Sequence, residues 1–246
     1  MDLLLVALPD SGLPELAASI ARRSGVRVEW IEGDLTRDST LETLIERIRA
    51  ARLDIRLLVN NAGIGGVGLF MDLPLEHHIS TIQLNIVALV RLSRLVIAES
   101  ARDGRLRILN VASLGALFPM PTLSVYSATK SFVLNFSLAL RSELEGSAGV
   151  SVLCPNAIRT NDAVEDYIDR FGLPARLACM SAEKTARIAL DGALRGRAVI
   201  IPGRFNRVLA ALARFVPRSV VMRIIRRCWG GFADRDESVR VKVEHA

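Results

Sequence analysis

The sequence predicts an α/β fold, a doubly wound parallel sheet with helices on both faces. Short β-rich runs alternate with helical patterns from the first residues to about residue 203. Helices of about ten residues or more between strands are the mark of βαβ units and a parallel sheet, and right-handed crossovers distribute such helices over both faces. Polar residues (Asp34, Asn60, Asn61, Ser113 and Asn156) close successive strands. Ligands in open α/β sheets sit beyond the carboxyl ends of the strands, so these positions are where function is sought.

The elements follow in order. Leu3 to Leu8 is a continuous apolar run, read as a buried strand, and Leu13 to Arg23 has helical spacing and stops at Gly25. Val26 to Ile31 alternates as a strand does and is closed by Gly33, Asp34 and Leu35. From Thr40 to Ala51 the apolar residues Leu41, Leu44, Ile45 and Ile48 recur at i, i+3, i+4 and i+7, the period of an amphipathic helix. Ile55 to Val59 is a strand running into Asn60-Asn61-Ala62-Gly63. A long helix is expected from Pro74 to Ala98, a strand from Leu106 to Val111, and a helix from Val125 to Leu144. Val150 to Leu153 is a strand stopped by Pro155, Ala182 to Leu194 a helix, and Ala198 to Ile201 a last strand ending at Pro202-Gly203. Residues 1–203 therefore read as one domain, and 204–246 as a basic amphipathic helical extension with a polar end.

Composition narrows the function classes. The chain has 246 residues, 50% hydrophobic, 24% charged and 5% aromatic, which excludes wholesale disorder, collagen-like repeats and a disulfide scaffold. Cys154, Cys179 and Cys228 fit no metal spacing and read as reduced thiols. His77, His78 and His245 form no HExxH pattern, so no metal is expected. The net charge of +6 is concentrated in Arg204, Arg207, Arg214, Arg218, Arg223, Arg226 and Arg227, with no acid among them. The remainder is nearly neutral, which argues against nucleic acid as a partner. No unbroken run of 18 apolar residues suggests a spanning helix, and MDLLLVALPDSG lacks the basic leader of a signal peptide. A cytoplasmic chain is expected.

The chemistry-bearing constellation begins at Tyr126-Ser-Ala-Thr-Lys130. Spacing i, i+4 puts phenol and ammonium on one helix face, where a cation favours the phenolate and brings a poor acid–base group toward its working range. Ser113 closes a strand 13 residues earlier, placed to bond a substrate carbonyl, although serine there is also a common turn former. Asn85 lies inside an apolar helix and needs a partner, so a satisfied core amide is the plain alternative.

Taken together, Asn60-Asn61-Ala62-Gly63, Asn85, Val111-Ala112-Ser113, Tyr126-Ser127-Ala128-Thr129-Lys130 and Pro155-Asn-Ala-Ile-Arg-Thr160 resemble the short-chain dehydrogenase/reductase family of classical type, in order and spacing. The resemblance implies a Rossmann-like sheet and an NAD(P)-dependent oxidoreductase. Tyr126 would be the general acid in ketone reduction or the base in alcohol oxidation, and Lys130 would lower its pKa and bond the nicotinamide ribose. Ser113 would orient the substrate oxygen, and Asn85 would hold a water in the proton relay. Asp34 and Leu35 would flank the adenine, with a helix N-cap as a compatible role for Asp34. Asn61, Ala62 and Gly63 would pack along the ribose, and Pro155, Ile158 and Thr160 would lie at the carboxamide side.

Three departures from the family pattern follow. No TGxxxGxG loop is present, and Asp10-Ser-Gly-Leu-Pro14 cannot cradle a pyrophosphate. The 26 residues from Leu8 to Asp34 hold one helix and one strand, so Leu3–Leu8 corresponds to the family's second strand. The first βα unit is then absent, two strand edges lack partners, and a misassigned start or a fragment is expected. Leu8 stands where NADP-dependent relatives often carry arginine, so NADP is only a family-level lean and NAD stays open. Asn156 replaces a usual glycine and is expected to tolerate a left-handed turn.

Residues 204–229 read RFNRVLAALARFVPRSVVMRIIRRCW. An in-plane membrane-surface contact, a lid or dimer contact, and an ordinary core-covering helix remain open. The functional expectation is hydride transfer to a small apolar ketone or from a secondary alcohol, plausibly lipid- or steroid-like, with a homo-oligomer left open. Its alternatives are a non-catalytic remnant or binding module unable to hold cofactor, and an epimerase or dehydratase acting on a nucleotide sugar.

Overall fold

The computed structural model describes residues 2–100, 104–159, 173–213, 215, 216, 220 and 223. β1 (Leu3–Ala7) leads into α1 (Leu13–Ser24), which has Pro14 in its first turn and ends at Gly25, whose φ of 66° lets its amide bond back to Ala21 O. β2 (Val28–Glu32) pairs with β1 in parallel, from Leu3 opposite Val28 to Ala7 opposite Glu32. α2 (Asp38–Ala50) buries Leu41, Leu44 and Ile48, as the apolar period requires. β3 (Leu57–Asn60), β4 (Leu106–Val111), β5 (Ala148–Leu153) and β8 (Val199–Ile200) form a second parallel sheet in the order β3-β4-β5-β8.

Strand alternation explains why both faces of this sheet are covered. On β4, Leu106 and Ile108 face a core built with Leu92 and Val96 of α4 (Leu89–Ser100) and Val150 of β5, while Leu109 packs with Ala189 and Ala193 of α7 (Ala182–Leu194). Val133 of α5 (Ser124–Glu143) meets Val152 on the α4 side. Leu4 and Val6 of β1, Ile31 of β2 and Leu58 of β3 join the first of these cores. One apolar core thus serves both sheets, although no strand ladder among the described residues joins β1 to β3.

Some sequence expectations are corrected. The long helix is not uniform: α3 (Leu75–Ile82) passes through a π-helical stretch, Gln83–Ala88, before α4. The 26-residue Leu75–Ser100 also has the length of a spanning segment and contains an 18-residue window of mean hydropathy 1.5. Its apolar character is interrupted by polar residues, so the search for an unbroken run missed it. Here it is a core helix, with Leu89, Leu92 and Val96 buried against the sheet. Asp34 does not cap α2: the cap is Arg37, and the Asp34 Oδ1 instead accepts from Thr36 N and Oγ1 at 2.8 and 2.7 Å. Asn156 is not among the positive-φ residues, so its turn does not use left-handed geometry. A short pair, β6 (Ile158–Arg159) with β7 (Met180–Ser181), and α6 (Leu173–Ala178) were not foreseen. α8 (Arg204–Ala213) follows β8.

Candidate active site

Three predicted site residues converge where β4 ends and α5 begins. Ser113 lies two residues past β4 and caps the 3-10 turn Leu114–Leu117, its Oγ accepting from Gly115 N at 3.1 Å. Tyr126 sits in the first turn of α5, with its phenol under the electrostatic influence of the Ser113 hydroxyl. Lys130, one turn later, is 5% exposed. Its Nζ donates to Val111 O at 3.0 Å and lies 5.7 Å from the Tyr126 ring centroid.

Burial dominates the electrostatics. It raises the Tyr126 phenol above its ordinary value, opposed by the Ser113 hydroxyl. It brings Lys130 down to about 8, opposed by Cys154, whose own thiol burial pushes up to about 12 against the pull of Lys130. Desolvation thus outweighs the contribution of Ser113, and the Tyr126 phenol lies above its ordinary value.

Asn85 occupies the π-helical stretch and is 1% exposed. Its Oδ1 accepts from Ile64 N at 2.9 Å, and its Nδ2 donates to Ile64 O at 2.9 Å and Thr129 Oγ1 at 3.0 Å. Its amide clamps the loop after β3. Gly63 permits the convergence, because a Cβ there would stand 2.9 Å from Asn85 Oδ1 and 3.1 Å from Lys130 Nζ. Farther along, a Cβ on Gly65 would meet the Tyr126 ring at 2.7 Å, and one on Gly66 would meet His77 Nε2 at 2.5 Å. A cleft lined by Gly66, His77, Thr122, Val125 and Tyr126 opens beside the phenol.

The expected cofactor residues flank this centre. Asn61 and Ala62 are exposed at the carboxyl end of β3, and Asp34 follows β2. Leu35 packs partly into the core, and Pro155 O accepts from Leu114 N at 2.7 Å. Ile158 opens β6, whereas Thr160 lies outside the described residues. Lys130 fits the nicotinamide-ribose half of a dinucleotide: a buried ammonium bonded to one carbonyl retains donors for hydroxyl oxygens. The start of α1 does not fit the pyrophosphate, since Asp10 precedes it and Glu15 Oε2 stands 4.0 Å from the Cβ position of Gly12.

Several contacts around the site lie beyond what the sequence motifs indicate. Thr129 accepts from Asn85 and itself donates to Tyr126 O at 2.7 Å. Asn60 donates to Asn110 Oδ1 and Ser93 Oγ, and Asn110 donates to Ser137 Oγ, a buried polar chain through the sheet. Polar residues inside apolar runs were the available signal. For His77, nothing in the local sequence indicated the cleft.

The comparisons agree with this geometry. The profile of the family described as short chain dehydrogenase matches residues 1–169. The human 17-beta-hydroxysteroid dehydrogenase type 3 is 35% identical over 173 residues, covering 69% of this chain and 54% of the relative; this chain therefore spans about half of that relative's length. Ketoacyl reductase HetN of Nostoc sp. is 29% identical over 237 residues, covering 93% of this chain and 80% of HetN. A short-chain dehydrogenase from Sphingobium yanoikuyae, solved in complex with NADPH, superposes with a TM-score of 0.71 at 32% identity, covering 96% of this chain and 87% of that one. With the profile over more than half of its length and the sheet and site arranged as described, this chain belongs to the short-chain dehydrogenase family.

Proposed function

We propose that the chain reduces an apolar ketone, or oxidises the matching secondary alcohol, with a nicotinamide cofactor and with Tyr126 as general acid/base. The observation that carries this reading is the grouping of Tyr126, which lines a cleft, with the buried Lys130 ammonium 5.7 Å from its ring centroid and Ser113 at the end of β4. Ser113 and Tyr126 address one substrate oxygen. As the carbonyl oxygen gains negative charge, the proton leaves Tyr126 Oη for it, and the Lys130 ammonium stabilises the phenolate left behind. When bound, the reduced nicotinamide supplies the hydride to the carbonyl carbon. The relative solved with NADPH supports NADP as the preferred form, and the apolar tail sequence supports an apolar substrate.

Tyr126→Phe tests the mechanism. The variant is expected to lose about two to four orders of magnitude in kcat, the usual worth of a positioned proton donor, with its thermal melt unchanged. Loss of less than about threefold would refute the role of Tyr126. A second reading, a binding module that holds no cofactor, is favoured by the acidic start of α1. Fluorescence titration with NADPH and NADH separates the two, since saturation by either removes the second reading.

A further inference from the structure

α8 is turned with its apolar residues outward. Phe205, Val208, Leu209 and Leu212 fall at i, i+3, i+4 and i+7 and are 40%, 57%, 40% and 58% exposed. The inward side carries Asn206 at 1% and Ala210 at 6%. A helix that covers a core does the reverse. Asn206 holds this orientation: its Nδ2 donates to Ala178 O and Pro202 O, each at 2.9 Å, and its Oδ1 accepts from Asn156 Nδ2 at 3.2 Å. Rolling the stripe inward would strip three hydrogen bonds, two of them buried. At about 100° per residue, Arg204 follows on one flank of the stripe and the Asn206–Ala210 face on the other. Arg204 and Arg207 are exposed, and Phe215 beyond the helix is 85% exposed.

Charge selects the occupant. Seven arginines and no acid lie between 204 and 227. A second copy of the chain packed face to face would oppose the same arginines, without a carboxylate in the segment to neutralise them. A surface rich in lipid phosphates complements them, and arginine stems reach along an apolar boundary to such groups. We propose that the outward face of α8 docks on an anionic bilayer surface, with Phe205, Val208, Leu209 and Leu212 entering the boundary between headgroups and acyl chains and the arginines meeting the lipid phosphates. α8 also packs against the 3-10 turn that follows Ser113, and Asn206 ties it to the turn after Pro155. The docking does not rest on the oxidoreductase reading.

Flotation of the purified chain with phosphatidylcholine vesicles, with and without about one third phosphatidylglycerol, tests this at low and high salt. The chain is expected to float with the anionic vesicles at low salt and to be released at high salt. The double variant Val208→Asp/Leu212→Asp should bind at least about tenfold more weakly. Arg204→Gln/Arg207→Gln should also weaken binding while leaving the apolar stripe intact. More than half of each Val208 and Leu212 side chain is exposed, so circular dichroism and melting of the first variant should match the parent. Absence of flotation with anionic vesicles, or equal flotation of the Asp variant, overturns the proposal. A dimer in sedimentation that the Asp variant dissociates, without vesicle binding, assigns the face to a second copy and also overturns it. No readout uses turnover, so failure of the oxidoreductase reading would leave the flotation result unaffected.

Discussion

Tyr126 and Lys130 share one face of α5, yet burial moves them in opposite directions, the phenol up and the ammonium down. For Lys130 this has a stability consequence. The folded value of about 8 lies below the ordinary 10.5, so between those values the unfolded chain binds a proton that the folded chain has released. Unfolding free energy is therefore expected to rise with pH over the window from about 8 to about 9, above which the Cys154 thiol, held protonated by burial up to about 12, opposes the rise; below about pH 8 the penalty of burying the ammonium is present in full. Urea midpoints measured on both sides of the window should show the rise in the parent chain and a flatter profile in Lys130→Met. At Gly65 the effect is steric. A methyl at 2.7 Å from the Tyr126 ring must displace the ring or the loop, and a small misplacement of a reacting group is costly. Gly65→Ala should lower kcat about tenfold or more, measured against the apolar ketone, with a melting temperature close to the parent's.

At the scale of elements, the π-helical stretch is the decisive irregularity. It falls at Asn85, whose amide takes both polar groups of Ile64, and π-bulges are frequent at functional sites. Asn85→Ala removes the partner of the Ile64 N–H, of its C=O and of Thr129 Oγ1 together. Chemical denaturation should show a loss of about 2 kcal/mol, and limited proteolysis should open the loop around Ile64 first. The stretch QLNIVA has no glycine or proline, so the sequence pattern read as one continuous helix. The widened turn becomes visible only once the loop it clamps is in place.

At the scale of the whole molecule, the β1-β2 and β3-β4-β5-β8 sheets share one apolar core, with no ladder between them among the described residues. Open strand edges with apolar side chains template pairing with other chains. Val59 of β3 is 42% exposed on such a strand. The 246-residue chain is expected to self-associate with rising concentration, and Val59→Lys should reduce that association, followed by sedimentation velocity. A charged side chain on an edge opposes strand pairing without touching the ladder to β4.

The parallel sheet, the amphipathic helices and the Ser113, Tyr126 and Lys130 positions were legible in the sequence because each rests on local spacing: alternation along β4, the i, i+4 step in α5, and a polar residue at a strand end. Residues brought together by loops were not legible. Thr129 bridges Asn85 to Tyr126, His77 reaches the cleft beside Gly66, and Asn206 joins the tail helix to Asn156 across 50 residues. The amphipathic period of residues 204–213 was plain in the sequence, but not which side faces out. Hydrogen bonds of one buried asparagine decide that orientation, because stripping them in the interior costs more than leaving the apolar stripe in water. The upward shift of the Tyr126 phenol is likewise tertiary, because it comes from burial that the local spacing to Lys130 does not reveal.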